Sequence, residues 1–456
     1  MFKTLRNAWR ITELKKKLLF TLLIIVLYRV GANIPVPFVD PGVFEQTQEI
    51  FGGNILQFLN VLSGEALGKA TLLALGVSPY ITASIVMQLL TIAIPALERL
   101  SKQGEEGKKK ITAYTRVVTV ILALVTSIGY AFFLNTNGLL LVEEGKDGPG
   151  FFRYAVIVAC YCAGAALVMW LAEKINEKGI GNGISIILFA NIIAGTYTVV
   201  SMLWATAFPA GVITTGQRVA RIIAVASEII IYTGMIMLIV WMSDAERRIP
   251  IQYAKRVVGR KMYGGQNTNL PLKVNMSGVM PIIFANSIVA LPATIRQLFF
   301  PEANNWFTKA LDVVFGYNTW PYLVIFLILL IAFAYFYVAI SFNPVEVANN
   351  IKNNGGAIPG IRSGRPTVEF IKKVLNRITL VGALFVAFIA CFPMLVTLVE
   401  DIVKGAMYGE QPYELWFQAL AYGGSSLMIV VGVALETVRE LEAQMSLRNY
   451  KGFLDN

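Results

Sequence analysis

The octapeptide Gly76-Val77-Ser78-Pro79-Tyr80-Ile81-Thr82-Ala83 returns 202 residues later (278 − 76 = 202) as Gly278-Val279-Met280-Pro281-Ile282-Ile283-Phe284-Ala285, with five of eight positions identical. Two apolar octamers can agree by chance, so the weight lies in the offset, which is nearly half of the 456 residues. Working outward, nearly uncharged runs occupy about 18–36, 71–96, 117–136, 154–172, 183–206, 222–243, 276–295, 319–341, 378–398 and 415–435. Each is near the ~20 residues that cross a ~30 Å hydrocarbon layer at ~1.5 Å per residue. The repeat equates the second run with the seventh and so divides ten spans into five plus five. An odd number per half forces the halves into opposite orientations, the inverted-repeat architecture of many transport proteins. The Gly and Pro of each copy should break or kink its helix, and broken helices at a repeat interface mark a transport path. The expected fold is an all-α polytopic membrane protein of ten transmembrane helices in two inverted halves, 1–210 and 211–456, the second with large loops at 244–275 and 342–377.

Composition supports a membrane solvent. Hydrophobic residues make up 56% of the chain, charged residues only 15%, against roughly a quarter in soluble proteins. The net charge of +11 (39 − 28) is concentrated between spans. Lys3, Arg6, Arg10, Lys15, Lys16 and Lys17 precede the first span, and Arg99, Lys102, Lys108, Lys109, Lys110 and Arg116 follow the second. Alternate loops carry Glu143, Glu144 and Asp147, then Glu400, Asp401, Glu410 and Glu414. This bias puts both termini in the cytoplasm. Arg29 interrupts the first apolar run, and no A-x-A cleavage site follows it, so that run is read as a retained span rather than a signal peptide. Arg29 and Glu228 are the charges within spans, each costing roughly 2.5–3.5 kcal/mol at mid-helix.

Residues 52–68 depart from the span pattern: a half-length apolar stretch bracketed by Gly52, Gly53, Gly64 and Gly68 is too short to cross. It is either an interfacial amphipathic helix or a re-entrant element, which requires burial in protein or a cavity.

Histidine is absent, which excludes imidazole relays and His-ligated metals. Cys160, Cys162 and Cys391 lie in apolar runs without metal-ligand spacing and read as small hydrophobes. There is no P-loop motif, so ATP hydrolysis would belong to a partner. No catalytic site, metal or cofactor is expected. An ion-coupled secondary transporter of a small solute needs polar or acidic groups at the repeat interface, and a passive small-solute pore is a third class. The sequence there offers mainly Val, Ile and Leu, which suits a pathway that seals against ions yet stretches around something large.

The phrases Ala74-Leu75-Gly76-Val77-Ser78-Pro79-Tyr80-Ile81-Thr82-Ala83-Ser84, Gly179-Ile180-Gly181-Asn182-Gly183-Ile184-Ser185-Ile186, Leu270-Pro271-Leu272-Lys273-Val274-Asn275 and Pro359-Gly360-Ile361-Arg362, in this order, resemble the SecY family of bacterial protein-conducting channels. The resemblance runs from about residue 10 to about 450. It implies a channel in the cytoplasmic membrane through which unfolded polypeptides cross, and from which membrane segments leave sideways. It further implies a pore ring at Val77, Ile81, Leu188, Ile283 and Ile429, with Val77 and Leu188 standing where Ile is frequent. Segment 52–68 becomes the family's plug. The lateral gate lies between spans 2–3 and 7–8, with Thr82, Gln88 and Asn286 at its polar positions.

Partners implied by the same resemblance are SecE-like and SecG-like small membrane subunits, the SecA ATPase, the ribosome, signal sequences and nascent polypeptides, and membrane lipids. Arg247, Arg248, Arg256, Arg260, Lys261 and Arg362 are the basic loop residues expected to dock them. Positive-inside topology accounts for most of that charge, but Gly355-Gly356 and Pro359-Gly360 are turn signals that suggest ordered docking surfaces. Glu228 matches no family motif.

Overall fold

The computed structural model describes residues 2–40, 55–141, 150–208, 215–253, 256–258, 261–263, 267–300, 305–316, 319–407 and 424–454. The two repeat copies fold alike at the level of single dihedrals. Gly76 and Gly278 take φ of +54° and +63°, in the left-handed region open to glycine. Val77 (φ −89°, ψ −8°) and Val279 (φ −91°, ψ −11°) follow as N-caps, and Pro79 and Pro281 occupy the first turn of the next helix. Proline is at home there because its missing N–H has no intrahelical acceptor. The motif therefore starts helices rather than kinking them. This corrects the expected continuous spans at 71–96 and 276–295, since the helices begin only at Ser78 and Met280.

In chain order the helices are α1 (Phe2–Arg10), α2 (Thr12–Gly31), α3 (Ile55–Ser63), α4 (Ser78–Ala93), α5 (Pro95–Ser101), α6 (Glu105–Thr136), α7 (Phe151–Lys178), α8 (Gly183–Ala207) and α9 (Thr215–Asp244). After the strands described below come α10 (Met280–Phe299), α11 (Trp306–Phe315), α12 (Trp320–Ser341), α13 (Pro344–Asn353), α14 (Arg365–Met407) and α15 (Gly424–Leu454). Among the described residues seven helices are long and apolar enough to cross a membrane, or eight if α4 and α5, bent by 105°, form one span. The bend falls at Pro95, whose preceding residue Ile94 is extended. The first expected span is α2, whose apolar run is flanked by Lys15, Lys16, Lys17 and Arg29. The tenth corresponds to the start of α15, its expected first half lying outside the described residues.

Helices α4, α6 and α7 pack together in the first half, and α10, α12 and α14 in the second. The halves meet where α10 packs against α3, α4 and α6, where α8 packs against α9 and α15, and where α1 packs against α15. Leu22, Leu23, Val26, Leu27 and Val30 are exposed on one side of α2 while Ile24, Tyr28 and Gly31 are buried on the other, so the outer face is the one suited to lipid.

The long loops fold rather than merely connect. Strand β1 (Glu246–Tyr253) pairs antiparallel with β4 (Asn267–Lys273), from Glu246↔Lys273 to Gln252↔Asn267, while β2 (Arg256–Val258) pairs with β3 (Lys261–Tyr263). The short β5 (Gly356–Ala357), from the other loop, joins the free edge of β1. Ile249 and Ile251 alternate with exposed Arg248, Pro250 and Gln252, the period of a strand covered on one face. Their apolar side packs on Ile351, Ile358 and Ile371. The predominantly helical fold thus carries a small β-sheet that unites both long loops.

Candidate functional site

At the seam between the halves lies a cavity of about 100 Å³. Ile81 from α4, Leu188 from α8, Ile283 from α10 and Ile429 from α15 line it, each at most 4% exposed. Val77 is not among the lining residues; it caps α4 one turn before Ile81, whose N–H donates to its carbonyl, and belongs to the same buried cluster. Four helices from both halves therefore present branched aliphatic side chains to one point. Ile81 and Ile283, equivalent in the repeat, reach it from corresponding positions on their helices.

Part of the remaining wall is the re-entrant segment, described from residue 55 onward: Leu56, Leu59 and Leu62 of α3, and Leu67 after it, face the same cavity. Helix α3 packs against α8 and α10, so of the two readings of 52–68 the structure takes the one buried in protein. Its return turn is fastened by directional bonds. Asn191 Nδ2 donates to the Leu62 carbonyl (2.8 Å), Tyr130 Oη to that of Leu67 (2.5 Å) and Tyr161 Oη to that of Ala70 (3.2 Å). Asn60 Oδ1 accepts from the Gly68 N–H (2.7 Å), Thr198 donates to the Glu65 carboxylate, and Lys69 pairs with Glu65 (3.1 Å). None of these fastenings was among the sequence-derived site residues. Asn191 and Arg29, one of the two charges within apolar runs, were the available signals.

Thr82 and Asn286 both line the cavity, where α4 meets α10. Asn286 is buried, and its Nδ2 has no hydrogen-bond partner among the described residues. Gln88 does not join them. Six residues beyond Thr82, at about 100° per residue, it lies some 240° around the helix, and its Nε2 donates instead to Ser84 Oγ one turn back (3.2 Å).

Of the basic loop residues, Arg247 and Arg248 stand exposed on β1, with Arg248 paired to Glu246 (2.6 Å). Arg362 is exposed beyond β5, its carbonyl accepting from the Thr367 hydroxyl (3.0 Å). Arg256 and Lys261 belong to β2 and β3, and Arg260 lies outside the described residues. Arg439 of α15 reaches the root of the sheet, donating to the Ser243 carbonyl (2.5 Å) and pairing with Asp244 (2.6 Å). Partial desolvation there, and then Arg439, pull the Lys273 ammonium below its usual range against the opposing effect of Asp244 and Glu246. Glu228 is buried in α9, one turn from Tyr232 and away from the cavity lining. Among the described residues no group of acidic, cysteine or histidine side chains is arranged to hold a metal.

Residues 71–438 match the family model SecY. The chain is 43% identical over 462 residues, and 100% of both lengths, to the protein translocase subunit SecY of Streptomyces coelicolor. It is 39% identical to that of Corynebacterium glutamicum, over 98% of this chain and 99% of the relative. The fold is similar to that of a solved protein-conducting channel, with a TM-score of 0.61 at 18% identity over 94% of this chain and 92% of the other. It is also similar to Sec61 in a canine ribosome-channel complex, with a TM-score of 0.57 at 18% identity over the same shares.

Proposed function

The chain belongs to the SecY family, and from that membership we propose that unfolded polypeptides cross a bacterial cytoplasmic membrane through the constriction at Ile81, Leu188, Ile283 and Ile429. The family is one of protein translocase subunits rather than enzymes, and membership does not favour a small-solute transporter. The observation that carries the reading is the convergence of four apolar side chains from both halves on one cavity capped by α3. A narrow apolar neck disfavours a continuous water column and so interrupts ion flow. When stretched, the same side chains make weak, non-directional contacts that any sequence can satisfy. Val77 supports the ring from the cap of α4, and α3 is the plug.

In this reading membrane segments leave along the α4–α10 seam past Thr82 and Asn286, and Gln88 acts only by supporting α4. The exposed Arg247, Arg248 and Arg362, together with Arg256, Arg260 and Lys261 of the same basic loop sequence, serve the cytoplasmic side, where both termini lie. They dock SecA and the ribosome, whose phosphates favour Arg and Lys; the ribosome-bound Sec61 relative supports the second partner. SecE-like and SecG-like subunits flank the outer helices. Reconstitution with a secretory precursor, SecA and ATP tests the proposal: protease-protected precursor is expected, and saturable small-solute uptake without protection would refute it.

A further inference from the structure

Arg29 takes no part in the ring, yet a charge inside the first span is expensive unless something holds it. Its Nη1 donates to the Gly64 carbonyl (3.2 Å) and its Nη2 to the Ala190 carbonyl of α8 (3.3 Å). Beside it Asn191 Nδ2 bridges the Leu62 carbonyl (2.8 Å) and the Tyr28 hydroxyl (2.9 Å). Helices α2 and α8 thus converge on the end of α3. The Leu62 carbonyl lies in the last turn of α3 and that of Gly64 just beyond it, at the helix end where carbonyls lack intrahelical donors and the dipole favours a cation. Gly64 sits at φ +68°, where an added Cβ would lie 2.7 Å from Arg29 Nη1 and 3.0 Å from Asn191 Oδ1.

We propose that Arg29 and Asn191 are positioning residues that latch α3 by its C-terminal carbonyls and thereby set how readily it leaves the constriction. The acceptors are main chain, so the latch is indifferent to the side chains of α3 and re-forms whenever the helix returns. Arg29 and Asn191 themselves are not among the residues that line the cavity. The inference rests on the plug reading above.

The test uses the full chain in proteoliposomes, with Cys160, Cys162 and Cys391 replaced by alanine and Leu59→Cys as a reporter on α3. The rate of labelling by a membrane-impermeant maleimide is measured in idle channels. Arg29→Gln and Asn191→Leu are each expected to raise it about tenfold, the loss of roughly one strong hydrogen bond. Arg29→Lys, which keeps the cation at the helix end, should recover part of the protection. Gly64→Ala attacks the same latch from the other side and should expose the reporter with Arg29 intact. Unchanged labelling in the variants that fold, measured on at least one of the α2, α8 or Gly64 sides, would overturn the latch. Deleting 55–66 separates this from the plug reading: if that deletion leaves resting conductance at the wild-type level, α3 is not a plug, while the labelling rates still decide whether Arg29 and Asn191 hold it.

Discussion

At the constriction Ile81, Leu188, Ile283 and Ile429 offer the cavity only branched aliphatic surface, whereas the end of α3 and the turn after it are held through their main-chain carbonyls by Arg29, Asn191, Tyr130 and Tyr161. The two meet at the re-entrant segment, whose Leu56, Leu59 and Leu62 line the cavity and whose end the polar groups hold, yet they use opposite chemistry. An element that must admit any polypeptide has to avoid directional partners. One that must leave and come back to a single place gains from them, because a hydrogen bond fixes geometry as well as energy.

The largest effect is expected from giving the constriction the chemistry of the latch. Replacing Ile81 and Ile283 together by Asn places hydrogen-bonding groups in the neck and should stabilise a wetted path. Resting ion current is expected to rise well above wild type, with easier export of precursors that carry defective signal sequences. Planar-bilayer recording and an export assay check both. Single substitutions would be masked by the other ring residues and α3.

A smaller effect follows from removing a polar group where none is satisfied. Asn286 Nδ2 is buried and without a partner among the described residues, so Asn286→Leu should stabilise the closed α4–α10 seam by about 1–3 kcal/mol. Slower lateral insertion of a model membrane segment, with export across the membrane less affected, is the expected readout. Insertion at the wild-type rate would show that Asn286 bears no cost in the closed state.

The smallest effect on the closed channel is expected from Arg362→Glu, which lies in neither region. An exposed loop charge contributes little to stability, so the melting temperature and resting current should stay within error of wild type while SecA-driven export falls. A raised resting current in that variant would show that the sheet and the constriction are not separable as drawn here.

How much of this was readable beforehand depended on where the information sits. The repeated Gly-Val-x-Pro motif marks the helix starts, but its Gly and Pro read as a break or kink within a span, because a Pro in the first turn and a Pro in mid-helix look alike in an apolar run. The glycine-bracketed 52–68 announced a non-spanning element, and its burial against α8 and α10 came only with the fold. The strands were written in the alternation of Ile249 with Ile251 and of Leu270 with Leu272, obscured by Pro250 and Pro271 within the ladder. Gln88 was expected beside Thr82 from the family resemblance, and the helical turn puts the two on different sides of α4. Arg29 was visible as a cost without a purpose, because its partners are carbonyls 35 and 161 residues away, and main-chain acceptors leave no mark in a sequence.

Resting conductance of four purified channels in planar bilayers bears most directly on the division between seal and cap: wild type, the 55–66 deletion, the Ile81→Asn/Ile283→Asn double variant, and the two combined. The account predicts a closed wild type, a modest leak in the deletion, a larger one in the double variant, and the largest when both are present. If the combined variant stays at the wild-type level while remaining folded, Ile81 and Ile283 do not form the seal, and α3 does not cover it.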